Sequence, residues 1–302
     1  MRLLMLGACL LALAAPALTT TALAAPVTVA TARGPVTLEA APAPVAALDF
    51  AAMDTLGALG VPVGGVPDSV LVPYLKPEAA GAKPVGTLFE PDLERLSELH
   101  PGVIILGSRA APKYDALKGL APVLDMTVSP DVLASLHEQL AAYGTLFGKT
   151  DAAAKLAAAL DARVATVQGL GTGKGKALVI LTNGTKMAAY GIGSRFGWLH
   201  TVTGLSEAHP GLKTDTHGNA ISYEFIAEAD PDYIFVIDRG AAIGADGASA
   251  RQTLDNPLVN ATTAARKGQI VYLNAADMYL ASGGYRATME ILDELHTALD
   301  RK

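Results

Sequence analysis

Three arginines stand where an α/β chain would present them to a ligand. Arg109 closes the apolar run Val103-Ile-Ile-Leu-Gly-Ser-Arg109, and Arg239 closes the run ending Val236-Ile-Asp238-Arg239. Arg195 lies in the glycine-flanked turn Tyr190-Gly-Ile-Gly-Ser-Arg195-Phe-Gly197. A guanidinium is permanently charged, forks onto pairs of oxygen atoms and stacks on aromatic rings. Three of them converging on one cleft would bind a bulky polyanion and tolerate its rings. Each charge-assisted hydrogen bond contributes about 1.5–3 kcal/mol, so three supply much of the roughly 12 kcal/mol of nanomolar binding. The same arginines would serve equally in unrelated surface ion pairs, and position along the chain does not separate the two readings.

His217, in Thr216-His217-Gly218, and Tyr279, ahead of Gly283-Gly284, form a second group. Glycine lets backbone approach a ligand closely. Imidazole nitrogen and phenolate oxygen are both donors for Fe(III), phenolate being the harder. Two protein ligands do not hold Fe(III) alone, but they would complete an octahedron whose other four donors come from a chelator. A bound trivalent cation would also favour ionised Tyr279. The plain alternative is a capping histidine and a loop tyrosine. Glu90 and Glu224 are each expected to open a helix, where a carboxylate is favourable in any case; as an exposed pair they would also dock basic residues of a partner. Ser194, His217 and Asp238 could be arranged as a hydrolytic triad of an exported enzyme, but no Gly-x-Ser-x-Gly elbow frames Ser194. Trp198 reads as a residue at the core edge.

The elements that must position these residues alternate in kind. Val27 to Leu38 reads as edge strands and Val45 to Asp49 as a buried strand. A helix is expected from Asp54 to Leu59, stopped by Gly60 and Pro62. Prolines 67, 73 and 77 make Val66 to Pro77 loop-like. A helix from Glu90 to Leu99 is stopped by His100-Pro101-Gly102, and the Val103 strand follows. Pro122 to Asp125 is another short strand. Ser129-Pro130 reads as a helix start, with the helix running to Phe147. A second helix runs from about Asp151 to Val167, with Leu156, Leu160, Val164 and Val167 at helical spacing. Gly169 to Gly175 imitates a phosphate loop, yet it precedes a strand, Ala177 to Leu181, and lacks the spacing.

The second half repeats the plan. Glu224 to Ala229 is a helix, Asp230-Pro231-Asp232 stops it, and a strand leads to Arg239. A last strand, Ile270 to Leu273, leads to the loop carrying Tyr279, and a terminal helix runs from Tyr285 to Leu299. The rhythm predicts an α/β fold with parallel sheets. It divides into a lobe over 25–150, a linking helix over 151–170 and a lobe over 171–302. Ligands of such sheets bind outside the carboxyl ends of the strands, where the arginines lie.

Composition narrows the function. The 302 residues are 51% hydrophobic and 17% charged with net charge -6, and no basic run is present, which argues against nucleic acid as a partner. Arg2, the apolar Leu3 to Ala15 and Ala22-Leu-Ala24 have the form of a signal peptide over 1–24, which predicts an exported protein. The single cysteine, Cys9, falls inside it, so disulfides and thiolate metal sites are not expected. Leu6-Gly-Ala-Cys9 is only a faint lipoprotein box, and a cysteine of the signal core is the favoured reading. Six scattered histidines do not suit a bare zinc or manganese site.

Taken together, Gly86-Thr-Leu-Phe-Glu90-Pro-Asp-Leu-Glu94, Gly107-Ser-Arg109, the Tyr190–Gly197 turn, Thr216-His217-Gly218, Pro231 to Arg239 and Tyr279-Leu-Ala-Ser-Gly-Gly284 resemble the periplasmic siderophore-binding proteins of ABC importers. The likeness is to the catecholate group, of enterobactin and petrobactin type, and it covers nearly the whole chain after the signal. It implies two Rossmann-like lobes joined by one long helix, with the ligand in the cleft between them and only modest closure. It implies that Arg109, Arg195 and Arg239 hold catecholate oxygens. It also implies that His217 and Tyr279 ligate iron when the siderophore is tetradentate, and that Glu90 and Glu224 dock an inner-membrane permease. A monomeric binding protein follows, not an enzyme, with no intrinsic cofactor and the ferric siderophore as its ligand. Cobalamin, haem or a hydroxamate siderophore are the alternative ligands of such a fold.

Overall fold

The computed structural model describes residues 25–301, so the signal segment and Cys9 lie outside the described residues. The first lobe begins with a hairpin, β1 (Val27–Val29) and β2 (Val36–Leu38), as their alternation predicts. Then come β3 (Val45–Leu48), α1 (Phe50–Ala58), β4 (Gly65–Val66), β5 (Lys83–Pro84), α2 (Leu93–Leu99), β6 (Val103–Leu106), α3 (Tyr114–Leu117), β7 (Val123–Asp125) and α4 (Val132–Leu146). The strands form one parallel sheet in the order β5-β4-β3-β6-β7. Every side chain of β3 and β6 is buried, as expected of strands covered on both faces.

Three helix starts differ from expectation, each because another residue caps better. α1 starts at Phe50 because the Asp49 carboxylate accepts from the Ala52 N–H. α2 starts at Leu93, not Glu90, because Asp92 accepts from the Glu94 and Arg95 amides. Glu90 instead closes a turn in which the Thr87 N–H donates to the Glu90 carbonyl. In α4 the cap is Asp131, which accepts from the Ala134 N–H, while Ser129 hydrogen bonds to Ser135.

The link between lobes is α5 (Thr150–Gly171), which buries Leu160 and Val167. The second lobe holds β8 (Lys176–Asn183), β9 (Lys186–Tyr190), α6 (Trp198–Thr203), β10 (Ser206–Glu207), β11 (Asn219–Ala220), α7 (Tyr223–Ala229) and β12 (Tyr233–Asp238). It continues with α8 (Arg239–Ile243), α9 (Ala250–Leu254), α10 (Pro257–Asn260), α11 (Thr263–Arg266), β13 (Ile270–Tyr272), α12 (Ala275–Tyr279) and α13 (Tyr285–Leu299).

This second sheet has the order β11-β9-β8-β12-β13, with β10 also pairing with β8, and it is mixed rather than purely parallel. β8, β12 and β13 are parallel, but β9 runs antiparallel to both β8 and β11. The cause is the tight turn at Gly184-Thr185, where Gly184 has φ +59° and Asn183 pairs with Lys186.

Packing joins the lobes into one apolar core that runs from Phe50 and Met53 of α1 through Leu160 of α5 to Ile291 and Leu295 of α13. Fully burying each such side chain stabilises the fold by about 1.5–3 kcal/mol. Trp198 is 6% exposed and belongs to this core. Among the described residues, no helix is long and apolar enough to cross a membrane.

Candidate functional site

The ends of β6, β8 and β12 come together, since Arg109 after β6 and Arg239 after β12 both bond to Tyr279, and Asn183 at the end of β8 bonds to Arg239. Arg109 follows β6 after a glycine whose absent Cβ would lie 2.2 Å from the Asp49 carboxylate. Arg239 is the first residue of α8, held there because the Asp238 carboxylate accepts from the Ala241 N–H. Arg195 is set by a turn in which the Ser194 N–H donates to the Gly191 carbonyl and the Gly197 N–H to that of Ser194. Tyr279 is the last residue of α12, not a loop residue, because Asn274 caps that helix on the Ala276 and Asp277 amides.

All three arginines meet on Tyr279. Arg109 Nη2 donates to its carbonyl oxygen at 2.7 Å, and Arg195 Nη2 donates to the same oxygen at 2.8 Å. Arg239 Nε donates to its hydroxyl at 2.9 Å, while Arg239 Nη1 donates to Asn183 Oδ1 at 3.1 Å. The guanidinium carbons of Arg109, Arg195 and Arg239 lie 5.6, 4.7 and 5.5 Å from the Tyr279 ring centroid, all within cation–π range. The cradle spans the cleft, since Arg109 comes from the first lobe and Arg195 and Arg239 from the second.

Electrostatics follow from this crowding. Burial would raise the Tyr279 phenol, but the Arg239 hydrogen bond and the charges of Arg239, Arg195 and Arg109 overturn it and leave the group below its ordinary value. Burial lowers the Arg195 guanidinium and Arg109 lowers it further, with Tyr279 acting in the opposite direction. The site is therefore cationic, partly desolvated and poised for oxygen anions.

His217 is exposed, in a turn closed by the Gly218 N–H donating to the Asp215 carbonyl. Its side chain makes no hydrogen bond or ion pair to the described residues. What ties the turn to the site is Gly218, at φ +71°, where a Cβ would lie 2.7 Å from Tyr190 Cζ. The Tyr190 ring in turn packs edge-on against Phe196, with centroids 4.8 Å apart, and Phe196 lies under Arg195. Tyr190 and Asn183 are site residues that the sequence reading did not assign. Asn183 had a signal, an Asn-Gly pair ending an apolar strand; Tyr190 had none beyond its place before the Arg195 turn.

Ser194, His217 and Asp238 do not form a triad. Ser194 is 1% exposed, with its hydroxyl donating to the Gly191 carbonyl. Both Asp238 oxygens are taken by amides, those of Ala241 and Ala250. Among the described residues, no group of three or more His, Cys, Asp or Glu is gathered to hold a metal ion. A cavity of about 540 Å³ opens elsewhere, between β13 and α13, lined by Arg251, Tyr272, Glu290 and Arg301 among others. It touches none of the three arginines, and its charges are of both signs.

The two lobes repeat a unit. α2 and α7 are each seven residues long, capped by Asp92 and Ser222. Each ends in a left-handed residue, His100 at φ 50° and Asp230 at φ 35°, before a proline and a strand. Glu224 occupies the first turn of α7, where the Ser222 hydroxyl lowers its carboxyl. Its counterpart in α2 is Glu94, also exposed in the first turn. Glu90 lies ahead of the cap, and its carboxylate pairs with Lys113 Nζ at 2.6 Å.

A pair of α/β lobes, one linking helix and a cationic cleft at the strand ends define a two-lobed substrate-binding protein. Residues 45–276 match the family model described as periplasmic binding protein, and the chain belongs to that family. It is 35% identical to the petrobactin-binding protein YclQ of Bacillus subtilis over 265 residues, 86% of this chain and 83% of YclQ. The crystal structure of YclQ superposes with a TM-score of 0.87, covering 92% of this chain and all of the other. The ferric-anguibactin-binding protein FatB of Vibrio anguillarum is 29% identical over 84% of this chain and 81% of its own. The periplasmic catecholate-siderophore-binding protein VctP of Vibrio cholerae is 29% identical, with a TM-score of 0.86 over 90% of this chain and 100% of that one.

Proposed function

We propose that this protein captures a ferric catecholate siderophore in the periplasm and delivers it to an ABC permease of the inner membrane. The observation that carries the reading is the arginine cradle, in which guanidinium groups from both lobes surround one tyrosine, two donating to its carbonyl, one to its hydroxyl, and all within cation–π range of its phenol ring. A catecholate presents the same chemistry as that phenol, an aromatic ring bearing anionic oxygen. Each guanidinium has five N–H donors and spends one or two on protein, leaving the rest for ligand oxygens. The relatives named above bind petrobactin, ferric anguibactin and a catecholate siderophore, which favours this ligand class over cobalamin or haem. Turnover has no part in this reading, and the iron arrives inside its chelator as cargo.

His217 and Tyr279 complete the iron's coordination when the chelator supplies four donors. Tyr279 suits the role because three positive charges favour its phenolate, the form that binds Fe(III). His217 suits it as a solvent-facing imidazole on a turn braced against Tyr190. Docking falls to exposed carboxylates of the two lobes: Glu224 on α7, and Glu94 and Glu90 at the start of the equivalent unit.

The test is titration of the purified iron-free protein with ferric catecholate complexes of four and of six donors. Trp198 and tyrosine fluorescence and the visible charge-transfer band are followed. Tight quenching by both complexes is expected, with a band shift for the four-donor complex alone. Failure of either to bind, with haem, cobalamin or a ferric hydroxamate binding instead, overturns the ligand assignment.

A further inference from the structure

Beyond Tyr279 the chain leaves the second lobe and lies down on the first. Gly283, at φ +88°, passes so close to the first lobe that a Cβ would stand 2.7 Å from Val128 Cγ2. At Gly284 a Cβ would stand 2.4 Å from Asp54 Oδ2. These contacts need glycine, and they press the strap Leu280–Gly284 against the segment following β7 and against α1.

α13 then starts without a cap of its own, because its N-cap residue is Gly284. The orphan amides of its first turn are satisfied from the other lobe. The Tyr285 N–H donates to Thr55 Oγ1 at 3.2 Å, and the Ala287 N–H donates to Asp54 Oδ2 at 2.9 Å. Arg286 closes the joint. Its Nε donates to Asp54 Oδ1 at 2.6 Å, its Nη1 donates to Glu78 Oε1, and its guanidinium lies 5.1 Å from the Tyr74 ring centroid. Asp54 is fully buried, so it depends on these donors for the solvation it has lost. Gly57 leaves room for the guanidinium, since a Cβ there would stand 2.7 Å from Arg286 Nη2.

The geometry points to Arg286 as a positioning residue for Tyr279: by clamping onto Asp54 and Glu78 it anchors the strap to the first lobe and fixes the phenol within the arginine cradle. The strap is held at both ends. At one, Tyr279 and Leu280 offer their carbonyls to Arg109 of the first lobe. At the other, Arg286 binds α1. Between them the chain runs only through turns and bends, so releasing the second anchor loosens the segment that directly follows the phenol. The ligand-binding consequence rests on Tyr279 being an iron donor; the mechanical one does not.

Arg286→Met, Arg286→Lys and Glu78→Gln are compared with wild type and Tyr279→Phe by two readouts. Amide hydrogen exchange of the iron-free protein follows peptides over 279–287 and, as reference, over α4 and α5. Spectral titration follows the charge-transfer band and the affinity for four- and six-donor ferric catecholates. Arg286→Met is expected to speed exchange over the strap about tenfold with α4 and α5 unchanged, the equivalent of one hydrogen bond. It should weaken the four-donor complex about tenfold, leave the six-donor complex near wild type and diminish the band. Arg286→Lys should recover part of each effect, and Glu78→Gln should fall between. Wild-type exchange over the strap in folded Arg286→Met overturns the inference. So does an equal rise in α4 and α5, which would make Arg286 a general support. Should Arg286→Met not fold, Glu78→Gln decides by the same criteria, because it leaves the Asp54 pair in place. If Tyr279→Phe leaves band and affinity unchanged, the iron-donor reading falls while the exchange result still judges the anchor.

Discussion

Tyr279 is gripped in three ways: through its carbonyl by Arg109 and Arg195, through its hydroxyl by Arg239, and through its ring by all three. Tyr279→Phe removes only the hydroxyl. The carbonyl contacts and the ring remain, so stability should change by no more than about 1 kcal/mol. Affinity for a four-donor ferric catecholate should fall about 10–100-fold, and for a six-donor complex by less than about threefold, in fluorescence titration. Equal losses would mean that the phenol touches ligand without touching iron. Asp277, two residues earlier, makes a second test at this scale. It is 2% exposed, and both its oxygens lack a hydrogen-bond partner among the described residues. Burial, then Asp54, Glu290 and Glu294, push its carboxyl up to about 7. A carboxyl raised in the folded state holds its proton there after the unfolded chain has released it. Stability is therefore lost as pH rises from the ordinary carboxylate value to about 7. Asp277→Asn should match wild type near pH 4 and exceed it by on the order of 2 kcal/mol near pH 8 in urea unfolding. A gain that does not grow with pH would place the ionisation elsewhere.

Elements decide which of these residues meet. α5 and α13 were legible because leucine recurs at helical spacing along each, joined by valine in α5 and isoleucine in α13, and β6 and β12 because they are apolar runs preceded closely by proline. The antiparallel β9 was not, since Lys186-Met-Ala-Ala-Tyr190 has no β-branched residue and weak alternation. Its hairpin signal lay in Asn183-Gly184 alone. The start of α2 was misread because Glu90 and Asp92 both suit a helix beginning, and only the turn from Thr87 to Glu90 separates them. The three arginines and Tyr279 could be named from the chain, but the meeting of those arginines on that tyrosine depends on contacts between lobes that local pattern does not encode, and His217 does not take part in it. The hairpin offers its own test. Gly184→Val puts a branched residue at φ +59°, which should cost about 1–2 kcal/mol in urea unfolding. Asn183→Ala keeps the turn glycine but frees Arg239 Nη1. It should leave stability within about 0.5 kcal/mol and weaken ferric catecholate binding several-fold. If Asn183→Ala binds as wild type does, Arg239 does not need its second anchor.

At the scale of the whole molecule, the same unit occurs once in each lobe: a cap, a seven-residue helix, a left-handed stop, a proline, a strand and an arginine. The arginine ends of the two units face the cleft, and the helix starts present exposed carboxylates to solvent. On the proposed function, one pair of features would serve capture and the other would be free to serve delivery. A partner that reads both lobes at once would sense their relative placement, and so the presence of ligand, without contacting the ligand. The carboxylates best matched in position are Glu94 and Glu224, each in the first turn of its helix, whereas Glu90 spends its charge on Lys113. Reversing an exposed charge leaves the fold nearly untouched but sets like charges against a basic partner surface, a penalty of several kcal/mol at an interface. Glu94→Arg and Glu224→Arg should therefore bind ferric catecholate as wild type does in vitro and lose most iron uptake in cells that depend on this protein. Glu90→Arg should lose less, because its pairing with Lys113 already occupies it. Uptake that survives the double reversal Glu94→Arg with Glu224→Arg would move the docking surface away from these helix starts, with the cradle unaffected.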